Sequence, residues 1–174
     1  GKPYTEAINA AATHALVRLS GRVAPRNDRA DWESWLASSE RLTEAQWQRA
    51  CQTAAAPACT WSYSTSCGTY SSMRCNGNEY DAVPGGSDDD ALTTTGVLPM
   101  CSVTWAGSAT PIYDMSGNAQ EWTQPRSAGV NPMRGGSYND AAGGMTCTFA
   151  FEVAADTIRL PNVGVDLLAH RLVP

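Results

Sequence analysis

The chain is poor in basic charge, in histidine and in long apolar runs. It carries 12 Lys and Arg against 17 Asp and Glu, a net charge of −5. The basic residues are scattered, with no aromatic-interleaved patch, which argues against a phosphate-backbone partner, so no nucleic acid is expected. Its two histidines, His14 and His170, lack a spaced second ligand or acid and are read as structural. There is no G-x-S-x-G elbow, and Ser137 has no partnered base, so serine hydrolysis is not expected. Apolar stretches are broken by charge, Thr or Gly well short of a bilayer crossing, so no membrane span is expected. Residues 1–9 lack a signal-peptide pattern, and the chain is expected to be soluble and already processed. Internal repeats, coiled-coil heptads and disordered linkers are also missing.

What is present is enough for one compact domain: 174 residues, 43% of them hydrophobic. Six cysteines stand at positions 51, 59, 67, 75, 101 and 147, an even number with no C-x-x-C pair. Disulfides therefore fit better than zinc or a redox motif. Buried free thiols are the alternative, but the Ser/Thr/Gly-rich surroundings give a thiol little apolar cover. Disulfides place the chain in an oxidising, extracytoplasmic compartment: periplasm, cell surface or medium.

Regular structure is expected at a few places only. Residues 5–19 show a helical apolar stripe with Thr5 as N-cap, and residues 31–37 allow a short helix. Thr43-Glu44-Ala45-Gln46 is a capping box, so a helix starts at Thr43 and turns Trp47, Ala50 and Cys51 to one face. From 54 to 107 the periodicity disappears. A connection that long needs staples, since ordering each residue costs ~1–2 kcal/mol of backbone entropy. Short strands are expected at 102–105, 133–137, 146–153 and 170–173.

The most informative segment is YDMSGNAQEW (113–122), followed by RGGSYND (134–140). Gly117 and Asn118 allow a sharp turn, so Asp114, Glu121 and nearby carbonyls are able to converge on one hard cation. The plainer alternative has Asp114 capping a turn and Glu121 solvated beside Trp122. The second glycine turn brings Ser137 and Tyr138 alongside.

Taken with RLTEAQWQRAC (41–51), CNG (75–77) and the closing HRLV (170–173), these motifs resemble the formylglycine-generating enzyme family, the sulfatase-modifying factors. The match runs in order from Arg41 onward; residues 1–40 match loosely, and the family's N-terminal third is not evident, as in a fragment or trimmed variant. The resemblance implies an α+β, C-type-lectin-like fold: loop-rich, two helices, short antiparallel strands, stapled by disulfides and calcium. One domain over 1–174 is expected.

The resemblance also implies particular pairings and ligands. It joins Cys51 to Cys147; for the other four cysteines Cys59 to Cys67 and Cys75 to Cys101 are favoured among three connectivities. The family's second bridge has neither partner here. One calcium would take carboxylates of Asp114 and Glu121 and carbonyls of Gly117 and Ala119. A second would use Asn76, Gly77, Asp90 and Leu92, although Asp88 and Asp89 offer alternatives to Asp90 or an exposed acidic run. Active members bind Cu(I) through two thiolates after the GGS turn. Asp140 stands at the first such position and 141–145 holds no cysteine; Asp140 and Met145 replace soft thiolates poorly, so no copper is expected. The substrate-groove Arg and Tyr lack counterparts in 146–151, and no HxxxH iron helix occurs.

Two functions follow. In the favoured one the chain is a non-catalytic lectin-like module, alone or as a subunit of a homo- or hetero-oligomeric surface assembly, binding a protein, glycan or cell-envelope ligand. Contact candidates are Trp105, Gln120, Trp122, Tyr138, Asn139 and Asp140, with core packing the other role for Trp47 and Trp122. The alternative is a formylglycine-generating-type oxidase with a divergent active site acting on a protein cysteine.

Overall fold

The computed structural model describes residues 41–53, 57–83, 91–104, 111–154 and 162–165. The chain divides into two compact units, Thr43–Val165 and a second made of Gly1–Leu42 with Asp166–Pro174. The second falls almost wholly outside the described residues, as do the helices expected at 5–19 and 31–37 and the strand at 170–173.

The first unit is a small α+β structure. Helix α1 (Glu44–Gln52) begins at the expected capping box: the Gln46 amide donates to Thr43 Oγ1 (3.2 Å), and Gln46 Oε1 accepts from the Thr43 amide (2.9 Å). Both interactions satisfy donors that a helix start otherwise leaves open. Trp47, Ala50 and Cys51 are buried on one face. The helix stops at Thr53, which turns to φ 59 and donates its amide to the Arg49 carbonyl (2.9 Å).

Six short strands follow: β1 (Ser102–Val103), β2 (Ile112–Tyr113), β3 (Gln120–Trp122), β4 (Asn131–Arg134), β5 (Ala150–Val153) and β6 (Val163–Val165). Strands β1 and β2 form an antiparallel pair. The other four form one sheet in the order β5-β4-β3-β6. The antiparallel expectation needs correction at one edge, because β6 runs parallel to β3 with Glu121 opposite Gly164. The other pairs of this sheet are antiparallel, Glu121 facing Arg134 and Met133 facing Phe151. Proline limits the ladder. Pro132 accepts from the Thr123 amide (3.1 Å) but has no N–H to return, and β3 ends at Trp122.

Strand positions were only partly anticipated. The strand at 102–105 ends at Val103, that at 133–137 lies earlier at Asn131–Arg134, and that at 146–153 is confined to Ala150–Val153. Among the described residues of 54–107, β1 is the one strand, in keeping with a loop region held by staples. The staples are three disulfides: Cys51 to Cys147, Cys59 to Cys67 and Cys75 to Cys101.

Trp47, Met115, Trp122, Met133 and Met145 are buried with the Cys51 to Cys147 bridge. Tyr63 packs with Cys75 and Cys101, covered by Trp61, Cys67 and Leu98. Trp47 and Trp122 are thus core residues. An ion cluster joins the helix start to the sheet: Arg126 forks onto both oxygens of Glu44 (2.9 and 3.0 Å), Arg134 Nη2 reaches Glu44 Oε2 (3.0 Å), and Arg126 also pairs with Glu152. The Arg126 hydrogen bond, followed by the charge of Arg134, holds the Glu44 carboxyl below its usual range against the cost of burial.

Candidate functional site

The site is built where three glycine-containing turns meet. Asp114, Gly117 and Asn118 all have positive φ (60, 79 and 66°), so the segment after β2 curls tightly before β3 begins. The CNG turn lies against it: the Asn118 amide donates to the Asn76 carbonyl (2.7 Å), and Asn76 Nδ2 donates to Asn118 Oδ1 (3.2 Å). The GGS turn closes the third side. The Gly117 amide donates to the Gly135 carbonyl (2.7 Å) and the Tyr138 amide to the Asn118 carbonyl (3.1 Å). Ser137 and Tyr138 therefore stand beside YDMSGNAQEW.

Asp114 is a buried carboxylate, 8% exposed. Its Oδ2 accepts from the Gly96 amide (2.9 Å), and among the described residues no cationic side chain pairs with it. Burial pushes its carboxyl up to about 6, only partly offset by the Gly96 hydrogen bond. Glu121 is half-buried, and its Oε2 accepts from Trp47 Nε1 (2.5 Å). Gly117 and Ala119 lie between them on the turn.

Carboxylate and carbonyl oxygens are the donor type a hard cation takes; here Asp114 faces the Gly96 amide and Glu121 the Trp47 indole. Among the described residues no three His, Cys, Asp or Glu side chains gather in one place.

Of the second expected cation set, Asn76, Gly77 and Leu92 are among the described residues. Asn76 commits its amide N–H groups to the Ala91 carbonyl (2.8 Å) and to Asn118. Gly77 packs beneath Met145, Leu92 is exposed, and Asp90 lies outside the described residues.

The GGS loop is held from within and by its neighbours. Asp140 Oδ2 accepts from the Ser137 amide (2.8 Å), Ser137 Oγ (2.6 Å) and Gln120 Nε2 (3.0 Å). Asn162 Nδ2 reaches Ser137 Oγ (3.2 Å) and Asn139 Oδ1 (3.1 Å). The Ala142 carbonyl takes Trp61 Nε1 (2.9 Å), and the Cys147 amide donates to the Thr60 carbonyl (2.8 Å). Gln120 and Trp122 are buried, Asp140 and Tyr138 are half-buried, Asn139 is exposed, and Trp105 lies outside the described residues. Ser137 is fully buried, its hydroxyl engaged with Asp140 and Asn139. Met145, 1% exposed, fills the space over Gly77 and Gly117.

Sequence reasoning did not anticipate three of these links. The Trp47 to Glu121 and Glu44 to Arg126 contacts span 74 and 82 residues, and no local pattern marks them. The Asp140 clasp onto Ser137 spans three residues. Its Ser-x-x-Asp spacing was a usable signal, of the kind that marks side-chain to backbone turns.

No family model matches the chain, and no curated protein matches it. Among solved structures it is similar to Treponema denticola variable protein 1, at 18% identity and a TM-score of 0.53, over 82% of this chain and 53% of that one. The chain spans about half the length of that structure, and at this identity the likeness is one of fold.

Proposed function

We propose that this chain is a non-catalytic, extracytoplasmic binding module with a C-type-lectin-like fold of the formylglycine-generating-enzyme type. The observation that carries the reading is the GGS loop. Its backbone is fixed by the Asp140 clasp, the Trp61 bond to Ala142 and the Cys51 to Cys147 bridge, while Asn139, Ala141, Thr148 and Phe149 are exposed. A rigid frame presenting side chains from one loop suits recognition, because little ordering remains to be done on binding. Three disulfides support an oxidising compartment, and among the described residues no helix is long and apolar enough to cross a membrane.

In this reading Asp114 and Glu121, with the carbonyls of Gly117 and Ala119, hold calcium. The ion supplies positive charge to a buried carboxylate and pins the turn on which the GGS loop rests. The chain's own residues orient that turn through the Asn76 and Gly135 backbone bonds.

The test is binding by the whole chain to arrays of extracellular proteins and glycans, with Asn139→Ala and Phe149→Ser as variants. Ligand capture by the wild type, lost in the variants while melting temperature is kept, is the expected result. Conversion of a cysteine in a sulfatase-type peptide to formylglycine, with Cu(I) and O2 supplied, would overturn it in favour of the oxidase.

A further inference from the structure

We propose that the Cys59 to Cys67 bridge is a reducible latch: a small thiol opens it at Cys67 in the folded chain, and the opening frees the 142–147 part of the GGS loop. Cys67 is the one cysteine of the six that is not buried, the other five being 0–4% exposed. Ser64, Thr65 and Ser66 before it, and Gly68 and Thr69 after it, are all exposed. A Cβ built on Gly68 would meet nothing within 4 Å, so the space beside Cys67 is open. An attacking thiolate needs such access to one sulfur, and exposed bridges are the labile ones. The Cys51 to Cys147 and Cys75 to Cys101 bridges offer none, so they open only together with the core around them.

Exchange at this bridge balances with two external thiols. A thiolate attacks Cys67 Sγ and forms a new S–S bond as the bond to Cys59 breaks; Cys59 leaves with the electron pair and takes a proton from water. A second thiol attacks the external sulfur of the mixed disulfide and releases Cys67 as a thiol. Two small thiols are thereby oxidised to one disulfide, and the bridge is reduced to two thiols. Ser66, beside the bridge, is held at φ 49, a left-handed conformation that serine leaves once released. The chain stays folded, because a closure of 8 positions contributes less to stability than those of 26 and 96 that remain.

The latch reaches the GGS loop through two residues. The Thr60 and Trp61 amides both donate to the Cys67 carbonyl (3.0 Å each). The Thr60 carbonyl in turn accepts the Cys147 amide (2.8 Å), and Trp61 Nε1 donates to the Ala142 carbonyl (2.9 Å). Opening loosens both anchors at once, while the Asp140 bond to the Ser137 amide is left in place. That ligand capture follows the state of the bridge rests on the binding function proposed above; the latch itself does not.

The test exposes the folded full chain to excess reduced glutathione, quenches with acid, alkylates the free thiols and locates them by mass spectrometry. Cys59 and Cys67 are expected to be freed at least ~10-fold faster than the other four, with glutathione captured on Cys67. In 15N-labelled protein the assigned Trp61 indole N–H should shift in the singly reduced chain while that of the buried Trp47 holds its position. Cys59→Ala/Cys67→Ala should reproduce that spectrum. If no bridge opens, if another opens as fast, if glutathione sits on Cys59, or if the chain unfolds as the bridge opens, the latch is overturned. An unmoved Trp61 resonance in the reduced chain overturns its link to the loop. Should the double variant fail to fold, the singly reduced wild type decides by itself. No ligand enters the measurement, so its failure is distinct from a failure of the binding reading.

Discussion

Gly117 lies against Asn76 so closely that a Cβ on Gly117 would sit 2.3 Å from the Asn76 carbonyl oxygen. The same carbonyl accepts the Asn118 amide at 2.7 Å. The two turns therefore touch backbone to backbone, and neither has room to withdraw without breaking that bond.

Gly117→Ala should be severely destabilising. The new methyl meets a carbonyl, not a flexible side-chain tip, and alanine resists the φ of +79° found there. A loss of ~3 kcal/mol or more is expected from overpacking and left-handed strain together, read as a lower urea midpoint. Gly129→Ala is the control, since its φ is also positive but nothing lies within 4 Å of a Cβ there. It should cost only the strain, ~1 kcal/mol.

Glu44→Gln should destabilise far more than Arg126→Ala. Arg134 has a side chain 6% exposed and keeps its charge against burial with the help of Glu44. Removing that carboxylate leaves a buried guanidinium without its counter-charge, and ~2–4 kcal/mol should be lost. Arg126 is 47% exposed, and its pairs with Glu44 and Glu152 lie in solvent screening. Urea unfolding of both variants at neutral pH checks the ranking, with a small midpoint shift expected for Arg126→Ala.

Replacing Cys51 and Cys147 together by alanine should cost ~4–5 kcal/mol in the chain-entropy model. The bridge closes a sequence separation of 96, against 8 for Cys59 to Cys67. The shorter bridge removes less unfolded-state freedom, so Cys59→Ala/Cys67→Ala should cost less. Equilibrium unfolding of both double variants under non-reducing conditions makes the comparison.

Asp114 sets an unusual pH dependence. Its folded carboxyl titrates at about 6 against an ordinary 3.8, so between these values the folded chain holds a proton that the unfolded chain has lost. Its contribution is therefore most favourable below about pH 4 and declines as pH rises through about 6, by on the order of 2–3 kcal/mol. Glu44, with a lowered pKa, acts in the opposite sense, its contribution falling away as the solution becomes acid. Asp114→Asn isolates the first effect. In EDTA the variant should be more stable than wild type at pH 7.5 and nearly equal to it at pH 4. Added calcium should stabilise the wild type alone.

Local signals were legible in the sequence, and long-range ones were not. Thr43 and Gln46 announced α1 because a capping box is written within four residues, and Trp47, Ala50 and Cys51 followed by helical spacing. Strands β2 and β3 were hidden because two or three residues carry too little alternation to stand out, and Gln120 to Trp122 sits inside a segment dominated by its turn. Pro132 further masked β4, being a residue that argues against a central strand. At the site, the contact between YDMSGNAQEW and RGGSYND was readable from their glycine turns. The role of Asp140 was signalled only by its Ser-x-x-Asp spacing. By sequence it stands at the first copper position and among the ligand-contact candidates; in the structure it serves as an internal clasp, with three donors converging on it in the folded loop.

The parallel pairing of β6 with β3 has a consequence for how the chain matures. The sheet's edge is supplied from residues 163–165, so in a chain made from its N-terminus Cys51 is present long before either Cys147 or that edge arrives. Cys59 and Cys67, eight positions apart, meet quickly, whereas Cys51 must wait through the passage of four other thiols. Correct oxidation of the chain should thus hinge on keeping that first thiol from the wrong partner, a task suited to a disulfide isomerase.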